Sequence, residues 1–336
     1  LSLFLLVILL YPYSPSDSVR SLVTLCEVPE RALLFAELAA RDGGQASVDY
    51  ALLLEAAGRF AGAGNAYRAA RGWSEDQMLT AWLTARILGT ARLDTTIALA
   101  VVLRNPGNEP VEDIHVEVPC PVPHPPYQEM GVLQWDFTEE DGFLRCRIDR
   151  MEAGSTRRLP IILRVRQEPW TFRPIADPMA DGALTMDSLG EVLRSVSGGI
   201  GSSPEGPCLE AAMKLALALE EMGVHTLVTG GLLRSSPDSL TFHAWNILDG
   251  SGMPMDAVLF AVDSLRGVGH SSTDLIPLWD LGASGGHEVS VLFSGDPDGL
   301  EVNMEVSFLD GKLLDLLLGS VPLLSCPPDG SERFFQ

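Results

Sequence analysis

Residues 206–260 switch period once, from helix to strand, and that switch limits the chain to folds that mix the two. Gly206 permits a tight entry turn. Pro207 suits a first helical position, where its missing N–H would be unpaired anyway. No breaker interrupts the run from Cys208 to Met222, and Gly223 supplies a left-handed stop. Cys208, Ala212, Leu215, Leu219 and Met222 recur at spacings of four and three, which places them on one buried face. Residues 224–233 are short, apolar and β-branched and read as a buried strand. Residues 241–248 read as a second strand and Asp249-Gly250-Ser251-Gly252 as a turn. Residues 253–260 read as a third strand, antiparallel to the second. Helix and sheet in one stretch make an α+β arrangement.

Three polar groups punctuate these elements: Cys208 in the first helical turn, His243 on the second strand and Asp256 on the third. A helix N-terminus favours a nearby anion by roughly 0.3–1 kcal/mol, and the thiolate is the reactive form of cysteine. His243 and Asp256 fall on opposite arms of the hairpin at comparable distances from its turn, which makes them cross-strand neighbours. Asp256 would accept from one ring nitrogen and hold the tautomer, leaving the other nitrogen for Cys208. Each residue also has a plain reading: a core cysteine, a structural histidine, an ordinary strand-end carboxylate. Together and in this order they are the parts of an activated cysteine nucleophile.

Residues 188–260 resemble the core of the transglutaminase-like superfamily of cysteine enzymes. The family pattern is Gly-x-Cys opening a long helix, a Gly ending it, a strand ending in Gly, then His-Ala-Trp and an Asp on the next strand. Here those elements are Gly206 and Cys208, Gly223, Gly231, His243-Ala244-Trp245, and Asp256. The chain departs from the pattern at Leu209, where an aromatic is common. It departs again at Gly223-Val224-His225-Thr226-Leu227 in place of Gly-Ile-Pro-Ala-Arg, and at Met253-Pro254-Met255 where a Trp commonly precedes the Asp. These departures bear on substrate-groove contacts more than on the three polar groups.

The resemblance implies a papain-like core with Cys208, His243 and Asp256 as catalytic residues, supported by Gly206 and Trp245. The implied activity is a cysteine hydrolase or acyltransferase acting on peptide or side-chain amide bonds through a thioester, with no cofactor and no metal. Hydrolysis is the expected outcome, because the likeness is to bacterial members, many of which look like peptidases. The backbone N–H of Cys208 is expected as one oxyanion donor, and the sequence names no second. The alternatives are a catalytically silent scaffold or binding protein of the cell envelope with the same fold, and a structural envelope protein in which the three residues coincide by chance.

A net charge of −22 excludes nucleic acid as a partner, because phosphate binding needs a basic face. A peptide or protein substrate is the expected partner. Residues 1–11 form a continuous apolar run, too short to span a bilayer, which takes about 20 residues. Residues 1–13 therefore read as part of a leader or membrane anchor, and the body as extracytoplasmic, secreted or membrane-anchored. Cys26 follows Leu25, a poor lipidation context. Cysteines number five, an odd count. Cys208 is expected to stay free, and Cys120 and Cys146 could pair in an oxidising compartment. His115, Cys120 and His124 sit in a strand-and-proline context that argues against a metal, and residues 296–299 read as a turn rather than a calcium loop.

Residues 28–91 are rich in Ala and Leu and read as helical, with Tyr50, Gly58, Ala63, Tyr67 and Ala70 resembling one tetratricopeptide-like hairpin. Within them, residues 73–88 read as a helix capped by Ser74 with Asp76 in its first turn. A helical spacer is favoured over a peptide-binding groove. Residues 92–168 read as a β-sandwich, with strands at 95–103, 111–118 and 157–166, a turn at 105–108 and a proline-rich loop at 119–126. Residues 105–128 are loosely similar to β domains that precede bacterial transglutaminase-like cores. Residues 169–325 form the expected core, with a helix at 187–196 and a C-terminal hairpin of strands 288–293 and 300–309. The whole is an α+β multidomain protein, a papain-like transglutaminase core preceded by a β-sandwich and an N-terminal helical segment.

Overall fold

The computed structural model describes residues 19, 23, 28–41, 43–134, 136–171, 186–198, 207–249, 252–262, 270–282, 290–294 and 299–309. N-terminal helices precede β-sheets, so the chain is α+β. The described residues group into two compact units. One draws on segments 1–92, 168–237 and 241–286, the other on 93–167, 238–240 and 287–336.

Among the described residues, the first unit includes four consecutive helices, α1 (Glu30–Ala40), α2 (Gln45–Ala56), α3 (Phe60–Trp73) and α4 (Gln77–Gly89). Consecutive helices pack on one another around Val48, Leu52, Ala63, Tyr67 and Leu83. Gly58, at φ +72°, takes the left-handed conformation that lets α2 turn into α3. An ion pair lies inside this core: Arg86 meets Glu55 at 3.0 Å, and Tyr67 Oη donates to the same carboxylate at 2.5 Å. The expected cap of α4, Ser74, is corrected to Asp76. Its carboxylate accepts from the N–H of Met78 at 2.7 Å and of Leu79 at 3.3 Å, while the Ser74 hydroxyl donates to the Asp76 carbonyl instead.

After the helices come two further helices, α5 (Met186–Gly198) and α6 (Pro207–Glu220), and a four-stranded sheet. Its order is β10 (Pro254–Met255), β9 (Ser239–Leu248), β8 (Thr226–Ser236), β12 (Leu275–Gly282). Ala211, Ala212, Leu215, Ala216 and Leu219 form the buried face of α6. Met222, expected on that face, is instead exposed, because α6 ends at Glu220 and Gly223 turns the chain at φ +77°. A two-residue loop joins β8 and β9 as a hairpin. The expected third strand is shorter than predicted: β10 has two residues, and a short helix α7 (Ala257–Val262) follows it directly. The last turn of α4 belongs to this unit as well. Thr273 Oγ1 bonds the carbonyls of Leu88 at 2.9 Å and Ala91 at 2.6 Å, and its N–H bonds that of Gly89 at 3.1 Å.

The second unit holds two sheets. One has the order β14 (Glu301–Phe308), β1 (Leu93–Arg104), β6 (Thr156–Gln167), β3 (Gln128–Gln134). The other has the order β13 (Ser290–Ser294), β2 (Val111–Pro119), β5 (Phe143–Met151), β4 (Thr138–Glu140). Alternate residues are buried along each central strand: Ile97, Leu99, Val101 and Leu103 in β1, and Ile114, Val116 and Val118 in β2. Each sheet thus has one apolar face, as a layered β unit requires. In the first unit, β7 (Trp170–Thr171) and β11 (His270–Ser271) form a two-stranded pair of their own.

The C-terminal strands were expected to pair with each other beside the papain-like core. They do not. β14 pairs with β1 from Ile97↔Phe308 to Arg104↔Glu301, and β13 pairs with β2. Both extend the sheets of the second unit. Cys120 and Cys146 are not joined by a disulfide. Cys146 lies opposite Val116, four residues along the strand from Cys120. At about 3.4 Å per residue that separation far exceeds the ~6 Å Cα spacing of a disulfide.

The expectation of membrane attachment is also corrected. Among the described residues no helix is long and apolar enough to cross a membrane. The apolar run 1–13 on which that expectation rested lies outside the described residues.

Candidate functional site

Cys208 is the second residue of α6, a position created by Pro207 at the helix start. Its side chain is half-buried against an apolar cluster that includes Leu189 and Leu193 of α5, Met255 of β10, and Ala257 and Val258 of α7. The thiol is free. Gly206, expected to shape the entry to this helix, lies outside the described residues.

His243 and Asp256 meet, though not as a pair on two long strands. The ladder between β9 and β10 has only two rungs, Ile247↔Pro254 and Asn246↔Met255. The next residue is Asp256, where the chain stops being a strand. Its Oδ1 accepts from the N–H of Val258 at 2.9 Å and of Leu259 at 3.0 Å, so this carboxylate caps α7. Its Oδ2 lies 2.6 Å from Nε2 of His243. Two jobs fall to one side chain, and the cap fixes the orientation in which the other oxygen reaches the imidazole. The sequence carried a signal for this: an Asp immediately before an apolar run is a helix-start pattern.

The pair is almost sealed from water, with His243 6% and Asp256 2% exposed. Burial lowers the pKa of His243, but the charge and hydrogen bond of Asp256, together with the hydrogen bond and charge of Cys208, raise it to about 10. Cys208 therefore acts on the same imidazole as Asp256. With Nε2 engaged by the carboxylate, Nδ1 is the nitrogen left for the sulfur.

Trp245 is 2% exposed and stacks on His243 with ring centroids 5.9 Å apart and planes 27° from parallel. Room for its indole comes from Gly231 on the neighbouring strand. A Cβ there would lie 2.6 Å from Trp245 Cη2 and 2.3 Å from the Ile276 carbonyl oxygen. The sequence reading used Gly231 as a pattern mark; its physical function is to admit the tryptophan.

One residue was missed. Asn246 is fully buried, and its Nδ2 donates to the Ala212 carbonyl of α6 at 3.0 Å and to Thr226 Oγ1 at 3.3 Å. A lone amide in the run His-Ala-Trp-Asn-Ile-Leu was the available signal, because a polar side chain inside a buried strand needs a partner.

Among the described residues, no three ligand-type side chains stand together in a metal-holding cluster. A separate cavity of about 630 Å³ opens beside the start of α3, lined in part by Arg59, Arg68, Arg92 and Glu168. None of Cys208, His243 and Asp256 lines it, and two of its arginines are held by carboxylates, Arg59 by Glu30 and Arg92 by Glu168.

No family model matches the chain, and no curated protein matches it. Among solved structures, a candidate cysteine protease from Cytophaga hutchinsonii aligns with 66% of this chain and 93% of its own, at 12% identity and a TM-score of 0.39. This is a weak likeness in fold to a cysteine-protease structure.

Proposed function

We propose that the chain is a transglutaminase-like cysteine hydrolase or acyltransferase that acts on peptide or side-chain amide bonds. The observation that carries this reading is the sealed Asp256–His243 pair at 2.6 Å, whose imidazole also responds to the Cys208 thiol at the start of α6. In the proposed reaction the Cys208 sulfur, having given its proton to His243, attacks the amide carbon. The oxyanion that forms meets the backbone N–H of Cys208 at the helix start. As the C–N bond breaks, His243 returns the proton to the leaving amine, and a thioester remains on Cys208. Water, or a second amine, then attacks that thioester with His243 taking its proton, and the thiol is regenerated. Asp256 stays ionised and holds the ring throughout. Hydrolysis is the favoured outcome, with a peptide or protein as substrate.

A second reading is a catalytically silent scaffold with the same arrangement. The depth of His243 and Asp256 favours it, because both side chains are almost out of reach of solvent. An acyl-type electrophile separates the two. In the enzyme reading, adduct forms at Cys208 of the wild type, is absent in Cys208→Ala and slows by roughly 10²–10⁴-fold in His243→Ala. Equal labelling of the wild type and His243→Ala, located by peptide mass spectrometry, leaves only the scaffold.

A further inference from the structure

The nucleophile and the imidazole stand on different elements, Cys208 on α6 and His243 on β9, so something must set how helix and strand sit against each other. Most of that contact is apolar. Ala212 and Ala216 of α6 pack with Ala244 of β9 and Val228 of β8. Small apolar surfaces of this kind have no preferred register; alanine methyls slide past one another with little change in energy. Asn246 makes a directional contact in this layer. It lies three residues beyond His243 on β9 and donates to Ala212, which lies one helical turn beyond Cys208 on α6. Its second N–H points to Thr226 Oγ1 on β8 at 3.3 Å, so both amide hydrogens are used and the side chain has a single orientation.

The arrangement is expensive for the fold. Asn246 Oδ1 and, on the adjacent strand, Thr229 Oγ1 are buried without a hydrogen-bond partner among the described residues. A buried polar atom left in that state lowers stability, and an apolar side chain in a layer of alanine and valine would avoid it. Local violations of this kind occur where function demands them. We propose that Asn246 is a positioning residue: its amide locks α6 to β9 in the register that keeps Cys208 in reach of His243. The inference rests on the proposed chemistry of Cys208 and names a further residue for it. Asn246 touches neither sulfur nor imidazole and acts only through the peptide of Ala212.

The test compares wild type, Asn246→Leu, Asn246→Asp and Thr226→Val. Each is assayed for the second-order rate of Cys208 alkylation by iodoacetamide per folded molecule, well below its melting temperature. The ring-proton titration of His243 is followed by NMR alongside. Both Asn246 substitutions keep the branching at Cγ and remove the donor to Ala212, and Asn246→Asp also keeps the volume. The expected result is a fall of about 10–100-fold in rate, as a displacement near 1 Å produces, with the His243 titration moved from its wild-type position. A part that merely stabilises the fold would change the melting temperature and leave both readouts at wild-type values, and that outcome overturns the proposal. If the Asn246 variants do not fold, Thr226→Val decides. It frees one amide hydrogen and is expected to slow alkylation at least about twofold, whereas a wild-type rate overturns the proposal. If wild-type Cys208 proves no more reactive than a free thiol, the proposed function fails. The His243 titration then still decides the positioning role, supporting it when moved and overturning it when unchanged.

Discussion

Asp256 shows how much of this site depends on a single carboxylate. One oxygen caps α7 and the other holds His243, so the charge and the geometry can be separated by substitution. Asp256→Asn keeps an acceptor for the N–H groups of Val258 and Leu259 but offers the imidazole no charge. The expected outcome is a folded protein in which His243 titrates below its wild-type position and Cys208 reacts with electrophiles about 10²-fold more slowly or worse, measured by NMR and adduct mass spectrometry. The same pair makes stability depend on pH in a defined direction. His243 rises from an ordinary 6.5 to about 10 on folding, so the folded chain binds that proton more tightly than the unfolded one. Its contribution is complete below 6.5, shrinks as pH rises, and is gone above about 10. Urea midpoints are expected to fall across that window, and His243→Gln is expected to remove that part of the slope.

Among the elements, β8 and β9 depend on a missing side chain. Gly231→Ala would set a methyl 2.3 Å from the Ile276 carbonyl oxygen, which is backbone and cannot swing away, and 2.6 Å from Trp245. The expected loss is about 1–3 kcal/mol or more by urea denaturation, with a change in tryptophan fluorescence as Trp245 moves off His243. Most element positions were legible because their signals are local. Gly223 ended α6, and the helical period placed Ala212, Leu215 and Leu219 inward. The misreading of the third strand has a local cause. Residues 253–260 are a short apolar run, and in runs of that length periodicity does not separate strand from helix. Asp256 decided the matter as a cap, just as Asp76 rather than Ser74 decided where α4 begins.

Across the whole molecule, contacts distant in sequence carry the fold. Thr273 ties off the end of α4 from a loop more than 180 positions later, with its hydroxyl on the carbonyls of Leu88 and Ala91. Thr273→Val removes those bonds while keeping the shape. It is expected to destabilise the helical unit by about 1–3 kcal/mol and to speed hydrogen exchange in the last turn of α4. No change in exchange there would show that the apolar contacts of α4 suffice without this cap. The C-terminal strands make the same point. β14 pairs along the edge of β1, with the ion pair Arg104–Glu301 at 3.4 Å between them, a partnership that no local turn signal announces.

Local chemistry decided which residues form helices and strands, where glycine and proline punctuate them, and that a thiol, an imidazole and a carboxylate occur on successive elements of an α+β chain. Those properties follow from steric limits and periodicities acting over a few residues. Convergence was settled by packing. The pairing of β13 and β14 with distant strands, the Asp256 and Cys208 partners that raise His243, and the amide of Asn246 joining helix to strand all depend on groups that meet only when the chain is compact. Strand pairing and burial energies are sums over neighbours, and a linear chain does not state who its neighbours are.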